Sequence, residues 1–285
     1  MAGSPTMRRR RLAAELRRLR LAADMTIDDV AEGLKWQTSK ISRVETRKIG
    51  INTVDLRKLL DFLGVTDRKQ VEGLLELARR ATERGWWQAY GTAIPSEYGT
   101  LIGLEEEASL IRTYQPELIY GLLQTEAYAH AVIRMFRPDD TAEEIERRVE
   151  VRLARQQILT RHDAPRLRVV LNEGVIRRRV GGADVMREQL LHLAAERDRS
   201  NVVVQVLPFR AGEHPAMTGP FVLLDFPEVF DLGAVHLENM ASALTLEKPA
   251  ELQLYTDAFE HVQAAALGPN ESRDMLKLLA EEFKP

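Results

Sequence analysis

Between Thr26 and Lys48 the chain reads TIDDVAEGLKWQTSKISRVETRK, and this stretch permits few folds. Val30, Ala31 and Leu34 mark the buried side of one short helix, and Ile41 and Val44 that of a second, with a break at Lys35–Trp36. Thr26 is placed to cap the first helix, and Asp28 and Asp29 fall in its first turn, where the helix dipole favours acids. Helices of two turns do not recover the cost of their own nucleation in water, so both must pack against something. Ala31 is small enough for the two to cross closely.

The flanking sequence supplies the packing. RRRRLAAELRRLRLAADM sets Leu12, Leu16, Leu19 and Ala23 on one helical stripe, with Arg10, Arg17, Arg18 and Arg20 read as lying largely outside it. TVDLRKLLDFLG predicts a fourth helix, capped at Thr53 and ended before Gly64. DRKQVEGLLELARRATERG predicts a fifth that buries Val71, Leu74, Leu75 and Ala78. Five helices with a tight second-to-third crossing make a helix-turn-helix domain over residues 1–84, whose third helix enters the major groove of double-stranded DNA. With Ile41 and Val44 buried, that helix presents Gln37, Thr38, Ser39, Lys40, Ser42 and Arg43, with no acid before Glu45. Hydroxyls suit phosphate oxygens and base edges, arginine forks onto guanine, and lysine neutralises phosphate. Thr26, Arg47 and Lys48 complete the candidate DNA-binding set, in which Thr38 and Arg43 read bases and Lys40 meets phosphate. Charge agrees. Residues 1–84 hold 19 Lys and Arg against 12 Asp and Glu, a net of +7, whereas the remainder is at −10. A basic head on an acidic body implies that the head alone meets a polyanion.

The same stretch resembles the helix-turn-helix of phage-repressor-like (XRE-type) regulators, L-T-Q-E-E-[LV]-A-x-x-L-G-x-S-x-S-x-[IV]-S-R-[IV]-E. The matching residues are Thr26, Val30, Ala31, Leu34, Ser39, Ile41, Ser42, Arg43, Val44 and Glu45. The chain departs from the pattern with Ile27 at a glutamine position, Lys35 at the turn glycine and Gln37 at the usual serine cap. A left-handed Lys35 costs about 1 kcal/mol relative to glycine. Further along, ERGWWQAYG, LIGLEEEASLIRTYQPELIYGLLQTEAYA, RLARQQIL, VVVQVLPF, MTGPFVLLDF and VHLEN are similar to the domain that follows such heads in actinobacterial regulators of the WhiJ-like, antitoxin-like family. The resemblance implies a transcription regulator with a small BldB-like protein partner. The usual pairing of helix-turn-helix domains with two half-sites predicts a homodimer, and no cofactor is expected.

Residues 85–285 read as an α+β domain with helices packed on a sheet. GWWQAYGTAIPSEYG looks like a junction, with Trp86 and Trp87 packed rather than free in water. Helical patterns cover about 97–109, 123–136 and 141–160, then ADVMREQLLHLAAERD, and finally 248–266 and 269–282. RLRVVLNE and NVVVQVLPF are β-branched runs flanking a helix, which permits a parallel pair, and GPFVLLDF and GAVHLEN read as antiparallel meander strands.

No catalytic or metal constellation emerges. His130, His162, His192, His214, His236 and His261 form no HExxH, although His214 and His236 could meet near Glu238. RVGGADVMR has two glycines before a helix but no Walker lysine, and reads as a turn with an Asp184 cap. GLEEEAS is an acidic patch that reads as a solvated helix face, with partner contact as the sharper alternative. PFRAGEHPAMTGPF is either a hairpin connection or the flank of a pocket or protein-binding groove. The absence of cysteine suits a reducing cytoplasm, no apolar run approaches the roughly 18–20 residues of a membrane span, and the arginine-rich start has no apolar core of a signal peptide behind it. The expected protein is a cytoplasmic, nucleoid-associated regulator and not an enzyme; the alternatives are an antitoxin-like protein that sequesters a small partner and autoregulates by binding DNA, and a small-molecule-sensing regulator.

Overall fold

The computed structural model describes residues 7–46, 48–81, 85–196, 199–227 and 233–283. Contacts divide the chain into two compact units, residues 1–89 with 98–104, and residues 90–97 with 105–285.

The first unit is helical. Its helices are α1 (Met7–Ala22), α2 (Ile27–Leu34), α3 (Thr38–Glu45), α4 (Thr53–Phe62) and α5 (Arg68–Arg80). The stripes read from sequence converge on one core, in which Leu12, Leu16, Val30, Ile41, Val44, Leu56, Leu60, Leu74 and Ala78 are buried. Gly33 has a packing reason. A Cβ there would sit 2.1 Å from the Phe62 ring, so only glycine lets α4 approach α2 this closely. Two expectations need correction. Asn52, not Thr53, caps α4, accepting from Asp55 N at 2.8 Å. Arg20 does not lie outside the α1 stripe: it is 7% exposed, because it stands one turn beyond Leu16 on the same face.

After α5 a 3-10 stretch, Trp86–Ala93, leads to α6 (Ser96–Glu107). Trp87 packs as its sequence context requires: a Cβ on Gly103 of α6 would lie 3.3 Å from its ring. Trp86 meets Trp87 edge-on, ring centres 6.0 Å apart.

The second unit is built on a six-stranded mixed sheet in the order β3-β2-β1-β4-β5-β6. The strands are β1 (Leu110–Gln115), β2 (Arg166–Asn172), β3 (Val202–Leu207), β4 (Phe221–Asp225), β5 (Ala234–Glu238) and β6 (Ala243–Leu246). β1, β2 and β3 run parallel, and β4, β5 and β6 form the antiparallel meander. Parallel neighbours need crossovers. α7 (Glu126–Phe136) and α8 (Ala142–Gln156) join β1 to β2, and α9 (Glu173–Arg177) and α10 (Ala183–Ala195) join β2 to β3. α11 (Pro249–Ala265) lays Phe259 and Val262 against Tyr114, Val170, Leu223 and Val235. α12 (Pro269–Glu282) closes the chain beside α10 and β3.

Sequence patterns missed β1 and β6. In β1 two polar side chains find partners across the sheet: Arg112 Nη2 pairs with Asp225 at 3.0 Å and Thr113 donates to Phe221 O at 2.8 Å. β6 is only four residues long. The 208–220 segment is no hairpin, since β3 and β4 are separated by β2 and β1, and it must cross their carboxyl ends. There it holds His214 against Tyr114, Nε2 to hydroxyl 3.2 Å, whereas His236 lies opposite Thr245 on β6, so these two histidines do not meet. Gly182, in a positive-φ conformation, precedes α10 as its cap, and Asp184 falls in the first turn instead.

The acidic run on α6 is not a solvated face. Glu105 is 1% exposed and takes two bonds from Arg155 of α8, each 2.5 Å, while Tyr120 donates to the same carboxylate. Glu106 is met by Arg161 at 2.8 Å. Burial pushes the Tyr120 hydroxyl well above its ordinary pKa, keeping it a neutral donor. Such a pair contributes little net energy while intact, yet leaves an uncompensated charge when one partner goes. Arg155→Ala is therefore expected to lower stability by about 3–5 kcal/mol, and Arg155→Met with Glu105→Leu by much less. Urea unfolding of the single and double variants checks this.

Candidate nucleic-acid interface

The candidate interface is α3 and the ends of its neighbours. α2 begins at Thr26, whose hydroxyl accepts from Asp29 N at 3.1 Å while Asp29 Oδ2 accepts from Thr26 N at 2.7 Å. Thr26 Oγ1 also lies 2.6 Å from that carboxylate, so the cap engages this hydroxyl. α2 ends at Lys35, which adopts the left-handed conformation (φ 53°, ψ 41°) that the turn demands. Its N–H and that of Trp36 return to the last carbonyls of α2, and the chain re-enters a helix at Thr38. Gln37 is the N-cap residue of α3 but makes no side-chain cap bond.

Two charge clamps hold α3. At its carboxyl end Glu45 takes a bidentate grip from Arg20 of α1, 2.7 and 2.8 Å, and Arg20 also donates to Met25 O at 2.7 Å. Both side chains are under a tenth exposed, so the pair is desolvated and its fork geometry fixes the helix angle. Along its flank Lys40 Nζ lies 2.7 Å from Asp55 of α4 and 3.9 Å from the centre of the Trp36 ring. Asn52 donates to the same Asp55 oxygen at 3.0 Å. The hydrogen bond from Lys40 holds the Asp55 carboxyl below its usual pKa. The clamp is accordingly complete at neutral pH and is lost as pH falls through that lowered value.

The sequence-read DNA set therefore separates. Gln37, Thr38, Ser39, Arg43 and Lys48 are exposed, and Ser42 is half-buried. Thr38 Oγ1 reaches Asp28 at 3.2 Å, tying the start of α3 to α2. Arg43 Nε folds back on Ser39 O at 3.2 Å, and among the described residues nothing engages its Nη groups. Lys40, expected as a free phosphate ligand, is instead committed to Asp55 and Trp36. Arg47 lies outside the described residues. The Arg20–Glu45 clamp was missed although the i, i+4 spacing from Leu16 signalled it; the Lys40–Asp55 contact bridges two helices and left no local signal.

Comparison with known families matches residues 11–73 to a helix-turn-helix domain. It also matches residues 98–278, more than half the chain, to a domain of unknown function, DUF5753. The chain belongs to the DUF5753 family. Its DUF5753 region starts within α6, contains the whole six-stranded sheet and ends within α12. No curated protein and no solved structure matches this DUF5753 chain. The helix-turn-helix match supports a DNA-binding regulator, and no helix among the described residues is long and apolar enough to cross a membrane.

The clamps give a measurable distinction between the two lysines. Lys48→Ala is expected to reduce the salt dependence of DNA affinity by about one counterion's worth, because each phosphate contact contributes a slope of roughly 0.9. Lys40→Ala should leave the slope unchanged and lower the melting temperature. Binding titrations across a salt series and thermal melts of both variants test this.

Proposed function

We propose that the protein is a sequence-specific, homodimeric DNA-binding transcription regulator of the cytoplasm whose DUF5753 domain binds a small protein partner that modulates DNA binding. The observation that carries the DNA half is the clamped α3, which exposes Gln37, Thr38, Ser39 and Arg43 without an acid among them. A recognition helix held at both its flank and its end meets the groove without first paying an ordering cost. The +7 charge of residues 1–84 supports the same reading. The partner half is supported by the acidic balance of the body, which adds little to phosphate affinity, and by the resemblance to WhiJ-like and antitoxin-like regulators, which implies a BldB-like partner. No enzymatic turnover is part of this reading.

Mapping of bound DNA across the genome identifies the operator. On that operator Arg43→Ala should cost about 1–3 kcal/mol, tenfold or more in affinity, with little change on random DNA. Thr38→Ala should shift base preference as well. Equal losses on specific and random DNA would remove Arg43 from base readout. Purification from native cells, followed by operator titration with and without whatever protein co-purifies, tests the partner. Linkage requires operator DNA to change partner affinity by the same factor. A metabolite that shifts operator affinity, with no protein co-purifying, would replace the partner with a small-molecule signal.

A further inference from the structure

The two edges of the sheet are treated differently. At the β3 edge the chain closes on itself: Val206 N donates to Ser272 Oγ at 3.0 Å, Leu267 N donates to Val206 O at 2.8 Å, and Gln205 Nε2 donates to Leu267 O at 2.9 Å. At the β6 edge no described residue does the same. The phase of the β5–β6 ladder shows which groups are left over. Asn239 N donates to Ser242 O at 3.0 Å, so that pair closes the hairpin as a hydrogen-bonded one. Hydrogen-bonded and non-bonded pairs then alternate along an antiparallel ladder. Glu238–Ala243 is non-bonded, Leu237–Leu244 bonded, and His236–Thr245 non-bonded. Ala243 and Thr245 thus direct their N–H and C=O groups away from β5, toward the open edge, where no described residue meets them.

An open row of donors and acceptors is a template for another strand, and proteins usually blunt it with proline, a charge or a bulge. Ala243–Leu246 contains none of these. The apolar layer is also unfinished here. Leu237 and Leu246 pack on the core beneath α11, yet Leu244, on the same face and opposite Leu237, is 55% exposed.

We propose that β6 pairs antiparallel with β6 of a second copy of this chain, with Leu244 facing its own counterpart across the two-fold axis, so that one sheet runs through the dimer. The strand is self-complementary in this register. Ala243 lies opposite Thr245 of the other copy, twice over, and each such pair joins two outward-facing residues that exchange both of their bonds. The two Leu244 side chains complete the apolar layer. Centring the axis on Thr245 would set Leu244 of one copy beside Leu246 of the other; centring it on Leu244 sets the two exposed Leu244 side chains against each other. The choice of a second copy rests on the dimeric reading proposed above and specifies the surface that forms it.

The chain has no cysteine, so one substitution introduces a single thiol. Leu244→Cys is expected to give a disulfide-linked dimer under mild oxidation, because α-carbons in a non-bonded antiparallel pair stand about 4.5 Å apart, within disulfide reach. Met240→Cys, at a 97% exposed turn position, should stay unlinked, since the two turns lie roughly 20 Å or more apart in this register. Thr245→Pro removes an N–H aimed at the edge and none aimed at β5. It should convert the dimer to a monomer in light scattering with an unchanged circular dichroism spectrum. Linking of the Met240→Cys chain as fast as the Leu244→Cys chain, or a Thr245→Pro chain that stays dimeric, overturns the proposal while leaving dimerisation through another surface standing. A wild-type chain that is monomeric at tens of micromolar and binds its operator as a monomer overturns both.

Discussion

The DNA-facing half of the molecule depends on one buried ion pair. Arg20 and Glu45 are the only groups among the described residues that join α1 to the carboxyl end of α3 by a two-pronged, desolvated contact. Two-turn helices are held by their neighbours rather than by their own propensity, so the direction of α3 is set from outside. The apolar contacts of Ile41 and Val44 bring it to the core but are non-directional. The guanidinium fork supplies the direction, and the further bond from Arg20 to Met25 O ties the turn before α2 to the same point. The exposed row from Gln37 to Arg43 owes its alignment to a charge pair that is itself under a tenth exposed.

The two units solve the problem of charged groups in opposite ways. In the head, ionic contacts at α3 fix an element whose outer face stays open. In the body, Glu105, Arg155 and Tyr120 close a fully buried polar cluster among α6, α8 and the segment before α7. The first arrangement specifies an orientation toward a ligand. The second ties three segments to one buried carboxylate, which is left as an uncompensated charge if its partner is lost.

Much of this was legible in the sequence. The five helices of the head and the strands β2, β3, β4 and β5 follow from periodicity and turn chemistry; the strand-helix-strand order permits the parallel β2–β3 pair, and the left-handed Lys35 was signalled by its place at the turn glycine of the repressor-like pattern. What escaped was set by partners far along the chain. β1 carries Arg112, Thr113 and Gln115 and reads as polar until Asp225 and Phe221 arrive beside it. Glu105 reads as a surface acid until Arg155, half a hundred positions later, takes it inside. At the site, the exposed hydroxyls and Arg43 followed from helical geometry, whereas the commitment of Lys40 required Asp55 and Trp36 in three dimensions.

The position of β1 in the sheet has a consequence for synthesis. It is paired on one side by β2, which follows within the next sixty residues, and on the other by β4, which ends at Asp225. A nascent chain therefore emerges from the ribosome with its helical head able to fold from local contacts while β1 keeps one side unpaired until more than a hundred further residues have appeared. Non-local pairing of this kind is slow and leaves strand edges open to other chains in the interval.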